Sequence, residues 1–144
     1  MNRIAIDVIS KKSFSVAQEC RSVLAVARHL AMSGESAILV VDDEGKLSGI
    51  CTERDIVKAV SSGQPLDALN VSSIMSHKPI TGAPERTVGE LLLIMQMNDF
   101  RHLPVVSPDN RPLGIISVKD ALSYEFYSAK KSAEHTALVF EAIA

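Results

Sequence analysis

The sequence predicts a mixed α/β fold, α+β in character, made from two copies of one β-α-β-β-α unit. The copies are expected to be related by a pseudo-two-fold axis, with their sheets packed together, helices outside and a helical tail at the C-terminus. Three observations predict this. The chain repeats itself at a fixed offset, each copy alternates short apolar runs with turn residues, and the intervening stretches carry apolar residues at three- and four-residue steps.

At an offset of 65 residues, Ala37-Ile-Leu-Val-Val41 falls on His102-Leu-Pro-Val-Val106. The same offset lays Gly49-Ile-Cys-Thr-Glu-Arg-Asp55 on Gly114-Ile-Ile-Ser-Val-Lys-Asp120, Ser22-Val23 on Thr87-Val88 and Leu30 on Met95. Upstream, an offset of 66 aligns Val8-Ile9-Ser10 with Ile74-Met75-Ser76. One repeat of this size cannot bury its own sheet face, whereas two can bury their faces against each other.

Each copy opens on a short extended segment, at Ser13-Phe14-Ser15 and at Pro79-Ile80-Thr81. A helix follows, over residues 22–32 in the first copy and 88–98 in the second, with Val23, Val26, Leu30 and Leu91, Leu92, Met95 on the apolar side. Thr87-Val-Gly-Glu90 is a capping-box pattern at the start of the second of these helices. A hairpin comes next, over residues 38–41 and 47–51 around Asp42-Asp-Glu-Gly45, and over 103–106 and 113–116 around the 107–112 turn. A second helix starts at Thr52 and at Ser117. The expected organisation is a first repeat over 1–62, a linker over 63–72, a second repeat over 73–124 and a helical extension over 125–144. No Gly or Pro follows Gly114, and Phe126, Ala129, Ala133, Ala137 and Phe140 would supply the apolar side of that extension.

Nearly half of the 144 residues are apolar, only 4% are aromatic and there is no Trp, so aliphatic side chains must carry the packing. A net charge of −2 gives no basic surface for nucleic acid or membrane. The N-terminus has no apolar h-region and no segment approaches the ~18 apolar residues of a span, so a cytoplasmic protein is expected. Cys20 and Cys51 lie apart without metal or redox spacing and read as buried thiols. His29, His77, His102 and His135 lack metal-ligand spacing, and His29 reads as a helix-surface residue. Met75, Met95 and Met97 read as core filling, and Lys130-Lys131 as a solvated patch. No activated nucleophile or Gly-rich phosphate loop is visible, so a non-catalytic protein is expected.

The string Gly-apolar-x-(Thr/Ser)-x-x-Asp, present twice, carries the chemistry. Gly49 and Gly114 let a strand approach another group closely. Thr52 and Ser117 place a hydroxyl at a helix N-terminus, where free N–H groups attract anions. One turn deeper, Asp55 and Asp120 offer acceptors that match the two hydroxyls of a ribose. Arg54 and Lys119 stand beside them and can neutralise phosphate. The same residues also serve as plain helix caps with an acid in the first turn.

Both copies resemble the cystathionine-β-synthase-type (CBS) domain, which usually occurs as a tandem pair called a Bateman module. The resemblance runs from about Ile4 to Tyr124 and rests on Ser76-His-Lys-Pro-Ile-Thr81, Arg101-His-Leu-Pro-Val-Val106 and the two strings ending in Asp55 and Asp120. It implies two ligand sites in the cleft between repeats, each drawing on both copies. The Asp120 site would use Ser13, Phe14, Ser36, Ala37, His102, Ile115, Ser117 and Lys119; the Asp55 site would use Pro79, Ile80, Arg101, His102, Ile50, Thr52 and Arg54. The implied ligand is an adenine nucleotide (AMP, ADP or ATP) or S-adenosylmethionine, with no cofactor required. The implied partners are a second copy, in a disc-like homodimer, and an unidentified regulated protein. Glu53-Arg54 against Val118-Lys119, and Phe14 against Ile80, make the two sites unequal. The alternative is an interaction or dimerisation scaffold, redox-linked or not, whose clefts hold nothing.

Overall fold

The computed structural model describes residues 3–123. The expected C-terminal extension, with His135 and Lys130-Lys131, lies outside the described residues.

The first repeat contains β1 (Val16–Gln18), α2 (Val23–Ser33), β2 (Ala37–Val41), β3 (Leu47–Thr52) and α3 (Glu53–Ser61), and it is preceded by a short helix, α1 (Ala5–Ile9). The second contains β4 (Ser76–His77), α4 (Val88–Met97), β5 (His102–Val106) and β6 (Pro112–Ser117), then a helix over residues 118–123. A 3-10 turn at Val71–Ser73 joins the halves.

Local chemistry sets these boundaries. Ser22 caps α2 by accepting the Ala25 N–H at 3.1 Å, and Gly34, left-handed at φ 74°, ends it. Val23, Val26 and Leu30 form its buried stripe. In the β2–β3 turn the Asp42 carboxylate accepts the N–H groups of Glu44 and Lys46 at 2.9 and 3.0 Å. Thr87 caps α4 by accepting the Glu90 N–H at 3.1 Å. The expected capping box is only half made there, because the Glu90 carboxylate instead pairs with Arg86 at 2.9 Å.

The extended segments lie three residues later than expected. Strand β1 runs parallel to β2, pairing Ala17 with Val40, and the equivalent contact in the second half is a single parallel bridge from Gly82 to Val105. Each opening tripeptide serves as the approach to this pairing. The hairpins β2–β3 and β5–β6 are antiparallel and in matching register.

The lead-in to each repeat packs on the other one. Ala5, Val8 and Ile9 of α1 share a core with Val88, Leu91, Met95, Leu103, Val105, Ile116 and Ala121 of the second repeat. Val71 and Met75, which open the second repeat, share a core with Ala17, Val26, Leu30, Ile38, Val40 and Cys51 of the first. Strand β4 pairs with β3, Gly49 opposite His77, which completes a four-stranded sheet of order β1-β2-β3-β4. A third cluster of Ala37, Leu39, Leu47, Ile50 and Ile115, with Phe14 and Val106 against it, seals the seam between repeats.

The two glycines of the repeated string permit this exchange. A Cβ on Gly114 would fall 2.8 Å from the Cβ of Ile9, and one on Gly49 would fall 2.4 Å from the sulfur of Met75. The expected close approach is real, and the approaching group is the lead-in of the opposite repeat.

The hairpin turns fasten the repeats at one end of the seam. Leu47 N donates to Asn110 O at 2.9 Å, Asn110 Nδ2 donates to Leu47 O at 3.1 Å, and Arg111 Nη1 donates to Glu44 O at 2.8 Å.

Two sequence expectations are corrected. Cys51 is fully buried but Cys20 is exposed, because it sits in the turn between β1 and α2. Met75 and Met95 are core residues, whereas Met97 is 76% exposed on the outer side of the last turn of α4.

Gly114→Val should destabilise the fold by about 1–3 kcal/mol in urea denaturation, since Ile9 is fixed in α1 and cannot yield freely. Gly89, with nothing within 4 Å of its absent Cβ inside α4, is the control. Gly89→Ala should be stabilising by about 0.5–1 kcal/mol.

Candidate functional site: the cleft between repeats

The exchanged lead-ins carry residues of one repeat to the helix starts of the other. Strand β6 ends at Ser117, whose hydroxyl accepts the Asp120 N–H at 2.9 Å while its own N–H donates to Asp120 Oδ2 at 3.2 Å. Strand β3 ends at Thr52 in the same way. Its N–H and hydroxyl donate to Asp55 Oδ2 at 2.9 and 3.2 Å, and its hydroxyl accepts the Asp55 N–H at 3.4 Å. Both strings are therefore reciprocal capping boxes. Capping uses one carboxylate oxygen of each Asp and fixes the direction of the other, so the capping and binding readings of these residues are compatible.

The first residue of each helix is tied back to the start of its hairpin. Glu53 N donates to Ser36 O at 3.0 Å, and Val118 N donates to Arg101 O at 2.9 Å. Ser36 and His102 then meet across the repeats, the Ser36 hydroxyl and His102 Nε2 sharing a bond of 2.8 Å. This contact and the Asn110–Leu47 pair close opposite ends of the seam.

Three residues beyond α1, Lys12 reaches the second repeat and its ammonium pairs with Asp120 Oδ2. Lys12, Ser36, His102, Ser117 and Asp120 thus form one polar cluster built from both halves. Burial works to raise the Asp120 carboxyl, but the bonds from Lys12 and Ser117 outweigh it and hold Asp120 below its ordinary value. Burial and then the positive charge of Lys12 push His102 below its ordinary value of 6.5; Arg101 adds to this, while Asp120 and Glu53 oppose it. His102 is therefore held neutral.

Of the remaining sequence-derived residues, Ala37, Ile50 and Ile115 are buried in the seam, and Phe14 lies half-buried against them. They form an apolar wall shared by both halves. Ser13, Arg54, Ile80, Arg101 and Lys119 are exposed and Pro79 is half-buried. Among the described residues the Asp55 carboxylate is held only by Thr52, with no lysine on it. An open pocket of about 270 Å³ also touches Asp55, but its other walls are Lys58, Ala59, Ser62, Gln64, Leu69, Ser73 and Ile74. It lies beside α3 rather than on the Ser36–His102 line, and it shares only Asp55 with the expected site.

Sequence reasoning missed Lys12. The offset of 66 that aligns Ile9 with Met75 also aligns Lys12 with Lys78, and that duplicated cation was the available signal. His29 is not a plain surface residue either. Ser15 Oγ donates to Glu35 Oε1 at 2.8 Å, which leaves His29 Nε2 to donate to Ser15 at 2.7 Å and pins the 13–15 approach to α2. Cys51, buried and facing the Asp55 charge, has its thiol pushed up to about 12 and is not a nucleophile at neutral pH. Among the described residues no His, Cys, Asp and Glu group could hold a metal ion, and no helix is long and apolar enough to cross a membrane.

Two repeats that exchange lead-ins and meet along an apolar seam edged by a polar cluster define a tandem-repeat pair module. The CBS domain profile matches residues 5–62 and 71–127, and the chain belongs to the CBS domain family. The CBS domain pair of protein MJ0100, solved with 5′-methylthioadenosine and S-adenosyl-L-methionine, is 26% identical, with a TM-score of 0.79 over 90% of this chain and 99% of that one. The CBS-domain protein ATU1752 from Agrobacterium tumefaciens is 31% identical, with a TM-score of 0.76 over 85% of this chain and 93% of that one. By sequence, an uncharacterized protein of Methanopyrus kandleri is 27% identical over 88% of this chain and 65% of its own length. An uncharacterized 17.7 kDa protein of Acidianus ambivalens is 35% identical over 69% of this chain and 59% of its own length. The chain thus spans less than two thirds of either relative.

Because His102 is held neutral, the unfolded chain takes up a proton more readily than the native one once the pH falls below about 6.5. This contribution to stability is complete above that pH and is lost as the pH falls through the depressed native value. Between about pH 7.5 and about pH 5.5 the wild type should lose more denaturation free energy than His102→Gln. Equal losses would mean that His102 titrates normally.

Proposed function

We propose that the chain is a non-catalytic regulatory module that binds an adenine nucleotide in the cleft between its repeats and passes the occupied state to a partner protein. One observation carries this reading: Asp120 and Ser117 of one repeat converge with Lys12 and Ser36 of the other. A ligand bridging them is sensitive to the relation between the halves, which is what a sensor requires. The diol of a ribose would donate to Asp120 or Asp55, the helix starts and nearby cations would receive phosphate, and the aliphatic wall of Ile50, Ile115 and Ala37 would border the base. The adenosine-based ligands of the MJ0100 pair support the choice of ligand class. Ser13, Phe14, Arg54, Pro79, Ile80, Arg101 and Lys119 would complete the two sites. A cytoplasmic location and a homodimer belong to the same proposal.

A scaffold role is the second reading. Val57 and Val60 on α3 are 66% and 58% exposed, an apolar edge that a partner or a second copy would cover. A redox link would have to run through exposed Cys20.

Thermal or chemical denaturation with AMP, ADP, ATP and S-adenosylmethionine separates the readings. At a hundredfold excess over the dissociation constant, a bound ligand should add about 2.7 kcal/mol to stability. Asp55→Ala and Asp120→Ala should each remove one site in calorimetric titration. If none of the four ligands stabilises the protein, only the scaffold reading stands.

A further inference from the structure

The two helix-start carboxylates occur in the same repeated string, yet they are differently engaged. Asp120 Oδ2 takes both the Ser117 N–H and the Lys12 ammonium, while among the described residues Asp55 Oδ2 takes only Thr52. Lys78, the repeat counterpart of Lys12, precedes Pro79 and has a left-handed backbone at φ 46°, whereas Lys12 precedes Ser13 and is not left-handed. The two side chains therefore leave the chain in different directions, and only Lys12 closes on a carboxylate.

We propose that Lys12 is an anion-dependent latch on the Asp120 site, so that this site accepts adenosine compounds carrying phosphate and rejects neutral or cationic ones, whereas the Asp55 site accepts both. This rests on the nucleotide-binding reading given above and deepens it. A ribose diol needs the lone pairs of Asp120, and one oxygen is already covered by Lys12 and Ser117. A diol spanning both carboxylate oxygens therefore competes with Lys12 for Oδ2, while the other oxygen carries neither of these bonds. A phosphate on the ligand gives the displaced ammonium a new counter-charge within the same cleft, and one ion pair is exchanged for another. A neutral nucleoside offers the displaced ammonium no counter-charge, so the Lys12–Asp120 pair, 45% and 26% exposed, is lost to water with nothing in the ligand to replace it. S-adenosylmethionine, with a net positive charge, adds repulsion. At Asp55 no ion pair among the described residues has to be broken, so phosphate is not required there.

The test is calorimetric titration of the full chain with AMP, adenosine and S-adenosylmethionine, on an Asp55→Asn background that isolates the Asp120 site. AMP should bind and adenosine should bind at least about tenfold more weakly. Adding Lys12→Met should move the two ligands in opposite directions, adenosine tighter and AMP weaker, collapsing the ratio towards one. A merely structural role for Lys12 would weaken both together, and that outcome overturns the latch. An unchanged ratio in Lys12→Met also overturns it while leaving nucleotide binding intact. If AMP binds neither the single nor the double variant, the same titration of the wild-type chain shows which idea has failed. Binding there confined to the Asp55 site removes the latch alone, and no binding at all removes the nucleotide reading with it.

Discussion

Gly49 and Gly114 each lack the one carbon that would keep the opposite lead-in off the sheet, and the rest of the fold depends on that approach. Ile9 lies over Gly114 and Met75 over Gly49, so each half finishes its core with apolar residues borrowed from the other. Burying an aliphatic side chain contributes about 1.5–3 kcal/mol. Ala5, Val8, Ile9, Val71 and Met75 together therefore supply a contribution comparable with the total stability of a small domain, about 5–15 kcal/mol. Neither half's core is complete without the other's lead-in, whatever the sequence duplication suggests about separate modules.

The same exchange builds the polar cluster at the seam. The lead-in that places Ile9 in the second core continues for three residues and sets Lys12 against Asp120, at the start of the helix that follows β6. Packing and polar chemistry are thus fixed by one segment. At the far end of the seam the hairpin turns are fastened by bonds through Asn110 and Arg111. At the near end Ser36 bonds to His102 and Lys12 to Asp120 across the repeats, beside the apolar contacts of Ala37, Ile115 and Phe14. On the proposed reading, the near end is where a ligand would compete for protein contacts without opening the apolar core.

Much of the fold was legible because it depends on short-range pattern. The helix stripe of Val23, Val26 and Leu30, the Asp42 turn and the Thr52 and Ser117 starts are all decided within a few residues, and they appear within a residue or two of expectation. Elements set by distant contacts were not legible. Helix α1 and strand β4 are short and carry weak local signals, and they exist because the other repeat's sheet offers them an apolar bed or a strand edge. Exposure failed for the same reason. Met97 and Met95 look alike in sequence, but only Met95 points towards β5 and α1, and Cys20 is exposed by a turn that no periodicity marks. In the cleft, the duplicated strings pointed to the Asp, Thr and Ser positions. Lys12 was missed because the first repeat does not share the Lys-Pro pair that makes Lys78 conspicuous.

That missing proline shows how a duplicated sequence acquires two different sites. Pro79 fixes its own φ and restricts the residue before it, and Lys78 takes up a left-handed backbone that few side-chain-bearing residues adopt. Lys78 N also donates to Ser48 O at 3.2 Å, so β4 is closed against β3 at this point and the backbone is held. The first lead-in has Ser13 instead and packs as a helix rather than a strand, which leaves Lys12 free to reach the carboxylate across the seam. The two lead-ins thus differ both in the residue after the lysine and in secondary structure, and of the two lysines Lys12 is the one paired with a helix-start carboxylate. The two strand-turn-helix corners share their capping geometry, and the lead-ins add a lysine to the Asp120 carboxylate that the Asp55 carboxylate does not have among the described residues.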